Sequence, residues 1–349
     1  MAELAIRGVR AHPVLPGLVQ GQVMTADVRQ ALAELDAVYA LQVLPEAQLL
    51  RGGSIQQLAL QVVEQVQPLL IPGQIDGIDG PVAHLPGPSW GLHGLVPAQL
   101  KGNPQPPMQR RVTLIAQAVT ERLRQTARIV LKQKVKSGRP QLLVQMLLTE
   151  PEALWLSIAP VLPLPPQQAW PCAYPAGLAD VADDDLAPAS SFRKLHEALA
   201  CMGVTPQPGD SAVDLGACPG GWTRVLRQYG ARVVAVDRSP LAAHLLADPQ
   251  VEFKAGDAFA WRPAQSVQWL VSDIVAFPER IVELIAAWCG QSLCSNLVVQ
   301  MKFKGEPNWP CLNAALAIAR QHGYFARAKH FFNDKNEVTL MACRGGDGG

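Results

Sequence analysis

Four charged residues stand where shared chemistry is possible: Lys194, Asp273, Lys302 and Glu337. Lys194 lies on a helix expected over Phe192–Met202, Asp273 follows the apolar run VQWLVS, Lys302 follows NLVVQM, and Glu337 opens the last expected strand. In an α/β sheet such positions face the crevice outside the carboxyl ends of the strands, or the helix preceding them. Two ammonium groups and two carboxylates converging there would form an interlocked ionic set, suited to orienting a nucleophile and handling its proton. Each alone reads equally well as a surface charge. Lys304, on the same face if the strand persists, competes with Lys302.

The second chemical stretch is SAVDLGACPGGWTRVL, Ser211 to Leu226, which reads as an apolar strand, a glycine turn and the start of a helix. Gly216, Gly220 and Gly221 let the backbone approach a ligand, with Cys218, Pro219 and Trp222 in the same turn. The spacing is neither the G-x-G-x-x-G dinucleotide pattern nor a P-loop, which disfavours NAD and ATP. The next strand, RVVAV, ends in Asp237, placed to accept hydrogen bonds from ribose hydroxyls, and VEFKAGDAF puts Asp257 near a further strand end. Acids ending successive strands beside a glycine turn suit S-adenosylmethionine (SAM), whose adenosine needs polar partners and whose sulfonium is cationic. The plainer reading makes Asp237 and Asp257 helix N-caps.

The elements that must position these residues follow from pattern. Strands are expected at 211–215, 232–236, 251–254, 267–272 and 296–302, with helices between them, then a hairpin of Tyr324–Lys329 and Glu337–Cys343 around Asn333 to Asn336. That alternation predicts a parallel, doubly wound, Rossmann-like α/β sheet closed by an antiparallel hairpin. Upstream, a helix is expected over Met24 to Leu44 with Thr25 as its cap, and a second from Ser54 that stops before Pro68. Residues 73–107, rich in glycine and proline, read as short strands and loops, and His84 and His93 as isolated rather than metal-binding.

A chain of 349 residues, 49% hydrophobic and 17% charged, has material for two or three folded domains and argues against wholesale disorder. The expected division is 1–52, a small α+β domain; 53–165, a second α+β domain; 166–188, a proline-rich connector with an acidic patch at Asp183 to Asp185; and 189–349, the Rossmann-like domain. Seven scattered cysteines without C-x-x-C pairs read as reduced residues, no metal is expected, and the expected compartment is the cytoplasm. Neither a signal peptide nor a membrane span is indicated.

A net charge of +1 excludes a globally basic nucleic-acid binder but leaves room for a basic face. Val112, Ile115, Val119 and Leu123 mark one side of a helix. Arg110, Arg111, Arg122, Arg124, Arg128, Lys132, Lys134, Lys136 and Arg139 supply cations there, opposed only by Glu121, before a strand at LLVQMLL. Such a run is either a solvated face or a surface that neutralises RNA phosphates.

The segment Ala187 to Arg344 resembles the ribose 2'-O-methyltransferases of the FtsJ type, the RlmM-like group among them. The resemblance is carried by APASSFRKLHEAL, VDLGACPGGWT, VVAVD, SDIV, VVQMK and NDKNEVTL. It implies a catalytic Lys-Asp-Lys-Glu tetrad on Lys194, Asp273, Lys302 and Glu337, and SAM contacts on Ser191, Cys218, Pro219, Gly220, Gly221, Asp237, Asp257 and Asp273. It also implies a ferredoxin-like domain and an RNA-binding THUMP domain upstream, and a ribosomal RNA substrate methylated on a cytidine ribose. SDIV is not the Asp/Asn-Pro-Pro-aromatic motif of amino-group methylation. Two rival readings are a methyltransferase for a small molecule or nucleobase and a non-catalytic RNA-binding assembly factor.

Overall fold

The computed structural model describes residues 10–15, 18–22, 37–71, 87–97, 106–135, 140–161, 172–179 and 181–344. The chain divides into two compact units: Met1–Leu35, Gln42–Pro163 and Ala169–Gly177 form one, and Asp36–Leu41, Leu164–Gln168 and Leu178–Gly349 the other.

In the first unit β1 (Arg10–Leu15) and β2 (Leu18–Gln22) form an antiparallel pair. Then come β3 (Gln48–Arg51), α1 (Ile55–Leu70), β4 (Trp90–Leu95), α2 (Pro106–Thr126), β5 (Leu142–Glu150) and β6 (Ala153–Pro160). The sheet runs β3-β6-β5-β4, with only β4 and β5 parallel. Because β3 pairs with β6, this sheet crosses the boundary expected at 52/53. The side chain of Ser54 caps α1 by accepting from the Gln57 amide at 3.1 Å. Leu58, Val62 and Val66 of α1 and the expected stripe Val112, Ile115, Val119 and Leu123 of α2 are fully buried against the sheet.

Two upstream expectations need correction. The helix from Ser54 does not stop before Pro68 but runs to Leu70. A proline in the last turn removes a single hydrogen bond, and complete burial of Leu70 offsets that loss. The helix expected over Met24–Leu44 falls mostly outside the described residues, and its described end, 37–44, is not helical. There Val38 is buried in the core of the second unit, and its carbonyl accepts from the His330 amide at 2.8 Å. His84 and the stretch Val82 to Leu85 also lie outside the described residues.

The second unit contains α3 (Phe192–Met202), β7 (Ser211–Leu215), α4 (Gly221–Gln228), β8 (Arg232–Asp237), α5 (Ala243–Leu246), β9 (Val251–Ala255) and β10 (Val267–Ser272). These are followed by α6 (Pro278–Gly290), β11 (Cys294–Lys302), α7 (Trp309–Gln321), β12 (Tyr324–Lys329) and β13 (Glu337–Arg344). Its seven strands are ordered β12-β13-β11-β10-β7-β8-β9, all parallel except β13, which runs antiparallel to both neighbours. The chain moves outward from β7 through β8 to β9, then returns to β10 on the other side of β7. That reversal opens a crevice between the ends of β7 and β10, where such sheets hold ligands. The acidic patch at the end of the expected connector is bonded to α4: Asp184 accepts from Arg224 Nε at 3.0 Å and from Gln228 Nε2 at 2.7 Å.

Candidate active site

The four expected residues meet at one end of the sheet. Lys302 ends β11 and Glu337 begins β13, and the antiparallel register sets them directly opposite one another. Ser272 is level with Val299 of β11, so Asp273 leaves β10 beside the last turns of that longer strand. Lys302 Nζ donates to the Asp273 carbonyl at 2.9 Å, lies 2.9 Å from Asp273 Oδ1, and is 4.0 Å from Glu337 Oε2. Lys194, from α3, donates to Glu337 Oε1 and lies 3.8 Å from Asp273 Oδ1. Neither lysine is aligned for a hydrogen bond to Asp273 Oδ1, so this buried oxygen pairs by charge alone. Glu337 is 5% exposed, deep enough that losing its lysine partners would leave a buried carboxylate uncompensated. Lys304 turns elsewhere: its Nζ sits 4.8 Å above the Phe277 ring.

A set of buried polar groups, not expected from sequence, backs this cluster. Gln300 stands opposite Thr339, one pleat from the Lys302–Glu337 pair and on its face, and Gln300 Nε2 donates to Thr339 Oγ1 at 2.8 Å. Asp334 folds onto them, accepting from the Phe331 amide at 2.9 Å, from Thr339 Oγ1 at 3.3 Å and from Gln300 Nε2 at 3.3 Å. Burial first, then the nearby Glu337 charge, pushes its carboxyl up to about 7. Glu197 of α3 accepts from the Asn333 amide at 3.2 Å, and burial raises its carboxyl above the usual range. The residues 333–337 are therefore clamped from the helix and from the sheet. Alternation along VVQMK could have placed Gln300 beside Lys302, but nothing local announces that Asp334 turns inward.

The glycine turn leads from β7 to α4. Gly216 (φ +75°) and Gly220 (φ +111°) occupy the left-handed region that favours glycine. A Cβ on Gly216 would meet Ile274 Cβ at 3.0 Å, one on Gly220 would meet Leu245 Cδ1 at 2.3 Å, and one on Gly221 would meet Ser191 Oγ at 2.9 Å. The bare Cα faces thus meet protein atoms, so glycine at these positions shapes the turn and lets neighbours close on it. Trp222 is likewise turned inward, 2% exposed with its indole N–H donating to the Ser191 carbonyl at 2.9 Å, so its ring is a core element.

Acids ring the turn. Asp237 ends β8 and accepts from the Cys218 amide at 3.0 Å and the Ser239 amide at 2.9 Å, one on each oxygen. A carboxylate has about four acceptor directions, so two remain for ligand hydroxyls. Asp257, two residues beyond β9, accepts from the Phe259 amide at 2.9 Å and pairs with Arg238 at 3.2 Å. That amide bond first, and Arg238 after it, holds its carboxyl below the usual range. Asp214, within β7, belongs to no motif legible in the sequence; a charged residue inside an apolar strand is the one available signal. It receives the Thr223 hydroxyl at 2.7 Å and the Thr223 amide, anchoring α4 to β7. Burial, with Asp273 and Asp237 adding repulsion, pushes it up to about 7. Burial and then Asp237 push the Cys218 thiol above its ordinary value, which suits turn packing rather than a nucleophile.

Among the described residues no group of three or more His, Cys, Asp or Glu side chains could hold a metal ion, and no helix is long and apolar enough to cross a membrane. His93 lies on β4, where burial lowers its imidazole to about 4.

Over 182 residues the chain is 37% identical to the Ribosomal RNA large subunit methyltransferase M of Xanthomonas oryzae pv. oryzae, covering 49% of this chain and 52% of that one. Over 213 residues it is 35% identical to the protein of that name from Halorhodospira halophila, covering 60% of each. The chain thus spans about half the length of the curated relatives it matches, or somewhat more. Among solved structures, the magnesium protoporphyrin IX methyltransferase of Synechocystis with bound SAM aligns with a TM-score of 0.32 at 20% identity, over 40% of this chain and 71% of that one. The family described as FtsJ-like methyltransferase matches residues 189–332, which contain the glycine turn, Lys194, Asp273 and Lys302 and end five residues before Glu337, so this part of the chain is similar to the FtsJ-like methyltransferases.

Proposed function

We propose that the protein transfers a methyl group from SAM to a ribose 2'-hydroxyl of RNA; the relatives' names favour large-subunit ribosomal RNA as the substrate, and a cytidine as the target is our own reading. The observation that carries this reading is the convergence of Lys194, Asp273, Lys302 and Glu337 beside the β7–β10 crevice. The residues around the glycine turn fit the cofactor: Asp237 retains acceptor directions for ribose hydroxyls, and Asp273, Asp237 and Asp214 together favour a cation. Ser191, against Gly221, the turn from Cys218 to Gly221, and Asp257 would also hold the cofactor. SAM bound there supplies a methyl already activated by its sulfonium.

What remains for the protein is alignment and one proton. An ammonium has three donor directions, and Lys302 directs one to the Asp273 carbonyl and its charge to the Asp273 carboxylate. A remaining donor orients the ribose hydroxyl. Transfer would break the S–CH3 bond as the O–CH3 bond forms, releasing S-adenosylhomocysteine, and the ribose oxygen, made strongly acidic, would lose its proton past Lys302 to solvent. Asp273 holds Lys302 from below, while Glu337 bridges Lys194 and Lys302 and keeps the two cations apart. The first unit, which we read as holding the ferredoxin-like and THUMP-like parts, contributes RNA affinity through its exposed cations; of the expected division at 1–52, 53–165, 166–188 and 189–349, the first boundary moves upstream of β3, because β3 pairs with β6.

The test is to incubate the protein with labelled SAM and total RNA from a strain lacking the gene, then map the modified nucleotide. A single ribose carrying the label is expected. Label on a base, or on a small molecule without RNA, would overturn the reading.

A further inference from the structure

Three of the four most exposed large apolar side chains among the described residues stand on the two loops that present Asp273 and Glu337. They are Val275 (83% exposed), Phe277 (61%) and Phe332 (59%). Phe277 is four residues beyond Asp273 and Phe332 five before Glu337, so each lies within about 14–18 Å of the cluster along the chain. These loops are firmly held. Phe331 is buried, the Asn333 amide is bonded to Glu197 and Asp334 is bonded inward, which leaves Phe332 projecting from a fixed frame. The Phe277 carbonyl accepts from the Arg280 and Ile281 amides at the start of α6, and Lys304 covers one face of its ring. Lys304 lies beside Phe277, and Lys335, three residues after Phe332, is exposed; Glu279 and Glu306 are the nearby opposing charges in sequence.

Exposed aromatic rings on rigid loops at the mouth of a site are costly to solvate and pre-organised for a planar partner. We infer that Phe277 and Phe332 are stacking platforms for the bases flanking the target nucleotide, so that the substrate is taken as a splayed single strand. The inference rests on the ribose-methylation reading. Bases in a duplex are already stacked and their edges enclosed, whereas unpaired bases stack on aromatic side chains. Lys304 and Lys335 then lie where neighbouring phosphates pass, and Val275 covers the sugar between the rings.

The experiment titrates a short single-stranded oligoribonucleotide carrying 2-aminopurine into the full-length protein with S-adenosylhomocysteine present, and follows fluorescence quenching. Phe277→Ala and Phe332→Ala are each expected to weaken binding about tenfold and reduce the quench, with affinity for S-adenosylhomocysteine unchanged. Tryptophan at either position should restore both signals and leucine neither. Alanine variants that bind within a factor of two of the parent overturn the inference. So does rescue by leucine equal to that by tryptophan, or equally tight binding of a duplex of the same sequence. A mapped ribose with unaffected variants sinks the platforms alone. A mapped base sinks the parent reading while leaving quenching to be judged separately.

Discussion

Lys302 is the residue on which the proposed chemistry turns, and its geometry separates it from Lys304. Lys302 is bound to Asp273 and faces Glu337, while Lys304 lies on the Phe277 ring. Lys302→Ala should therefore reduce kcat by roughly 100- to 10,000-fold, the range for a positioned proton-handling group, with SAM affinity by calorimetry nearly intact. Lys304→Ala should raise KM for RNA and leave kcat close to the parent; the reverse pattern would exchange their roles. Asp334 supports a separate prediction on stability. Its carboxyl, ordinarily near 3.8, stands at about 7 in the folded chain. The folded state thus holds a proton that the unfolded state has lost between those values. The stability this provides is complete below about 4 and disappears as pH rises through 7, at about 1.4 kcal/mol per unit of displacement. Urea denaturation from pH 5 to 8 should show Asp334→Asn losing less stability than the parent over that interval. An unchanged slope would mean the buried acid is already compensated.

The turn between β7 and α4 and the last turn of α1 are the elements with clear mutational signatures. At Gly220 an added methyl meets Leu245 and a φ of +111° that L residues rarely adopt. Gly220→Ala should cost about 1–3 kcal/mol in chemical denaturation and weaken SAM binding together, since one turn serves both. Pro68 is exposed and interrupts the hydrogen bonding of α1, so Pro68→Ala should stabilise by about 1–2 kcal/mol, read as a higher Tm. These elements also mark how far sequence reaches. The strands of the second unit are legible because apolar runs end in Asp237, Asp273 and Lys302, and the ends of such strands converge once the sheet is parallel. The Lys302–Glu337 pairing joins β11 to β13, which no tight turn connects, so its register is not set locally. What is not legible depends on tertiary direction. Trp222 could point to ligand or core, Asp334 in a polar turn could face solvent, and nothing in the sequence says that the fold leaves Phe277 and Phe332 outside. The departure from helix at 37–44 has the same origin, since helical spacing of Leu32, Leu35 and Val38 does not say that Val38 is claimed by the second unit.

At the scale of the molecule, near-neutral net charge conceals an uneven distribution. On α2 and the turn after it, Arg110, Arg128 and Lys132 are exposed, whereas other members of the run are engaged within the first unit. Arg111 donates to the Pro151 carbonyl, Arg122 to Gln56, and Lys134 to Thr120 at 3.0 Å while lying over Trp90, with burial lowering its ammonium pKa. Arg124 is paired with Glu121 and borders a groove of about 890 Å³ lined also by Gln56, Thr113, Gln117 and Lys134. Lys136 and Arg139 lie outside the described residues. The run is thus partly structural, and on the proposed reading its phosphate contacts would rest on Arg110, Arg128 and Lys132. Removing one cation from a phosphate lowers the slope of log affinity against log salt by about 0.7 for single strands and 0.9 for duplex. Replacing Arg110, Arg128 and Lys132 by glutamine should therefore flatten that slope by about 2–3 in anisotropy titrations with ribosomal RNA. Because the same three residues stand in the first unit, methyl transfer to a short oligoribonucleotide should fall far less than transfer to the full RNA. Equal losses on both substrates would place these cations in folding rather than in recognition, and no loss on either would favour a small-molecule substrate.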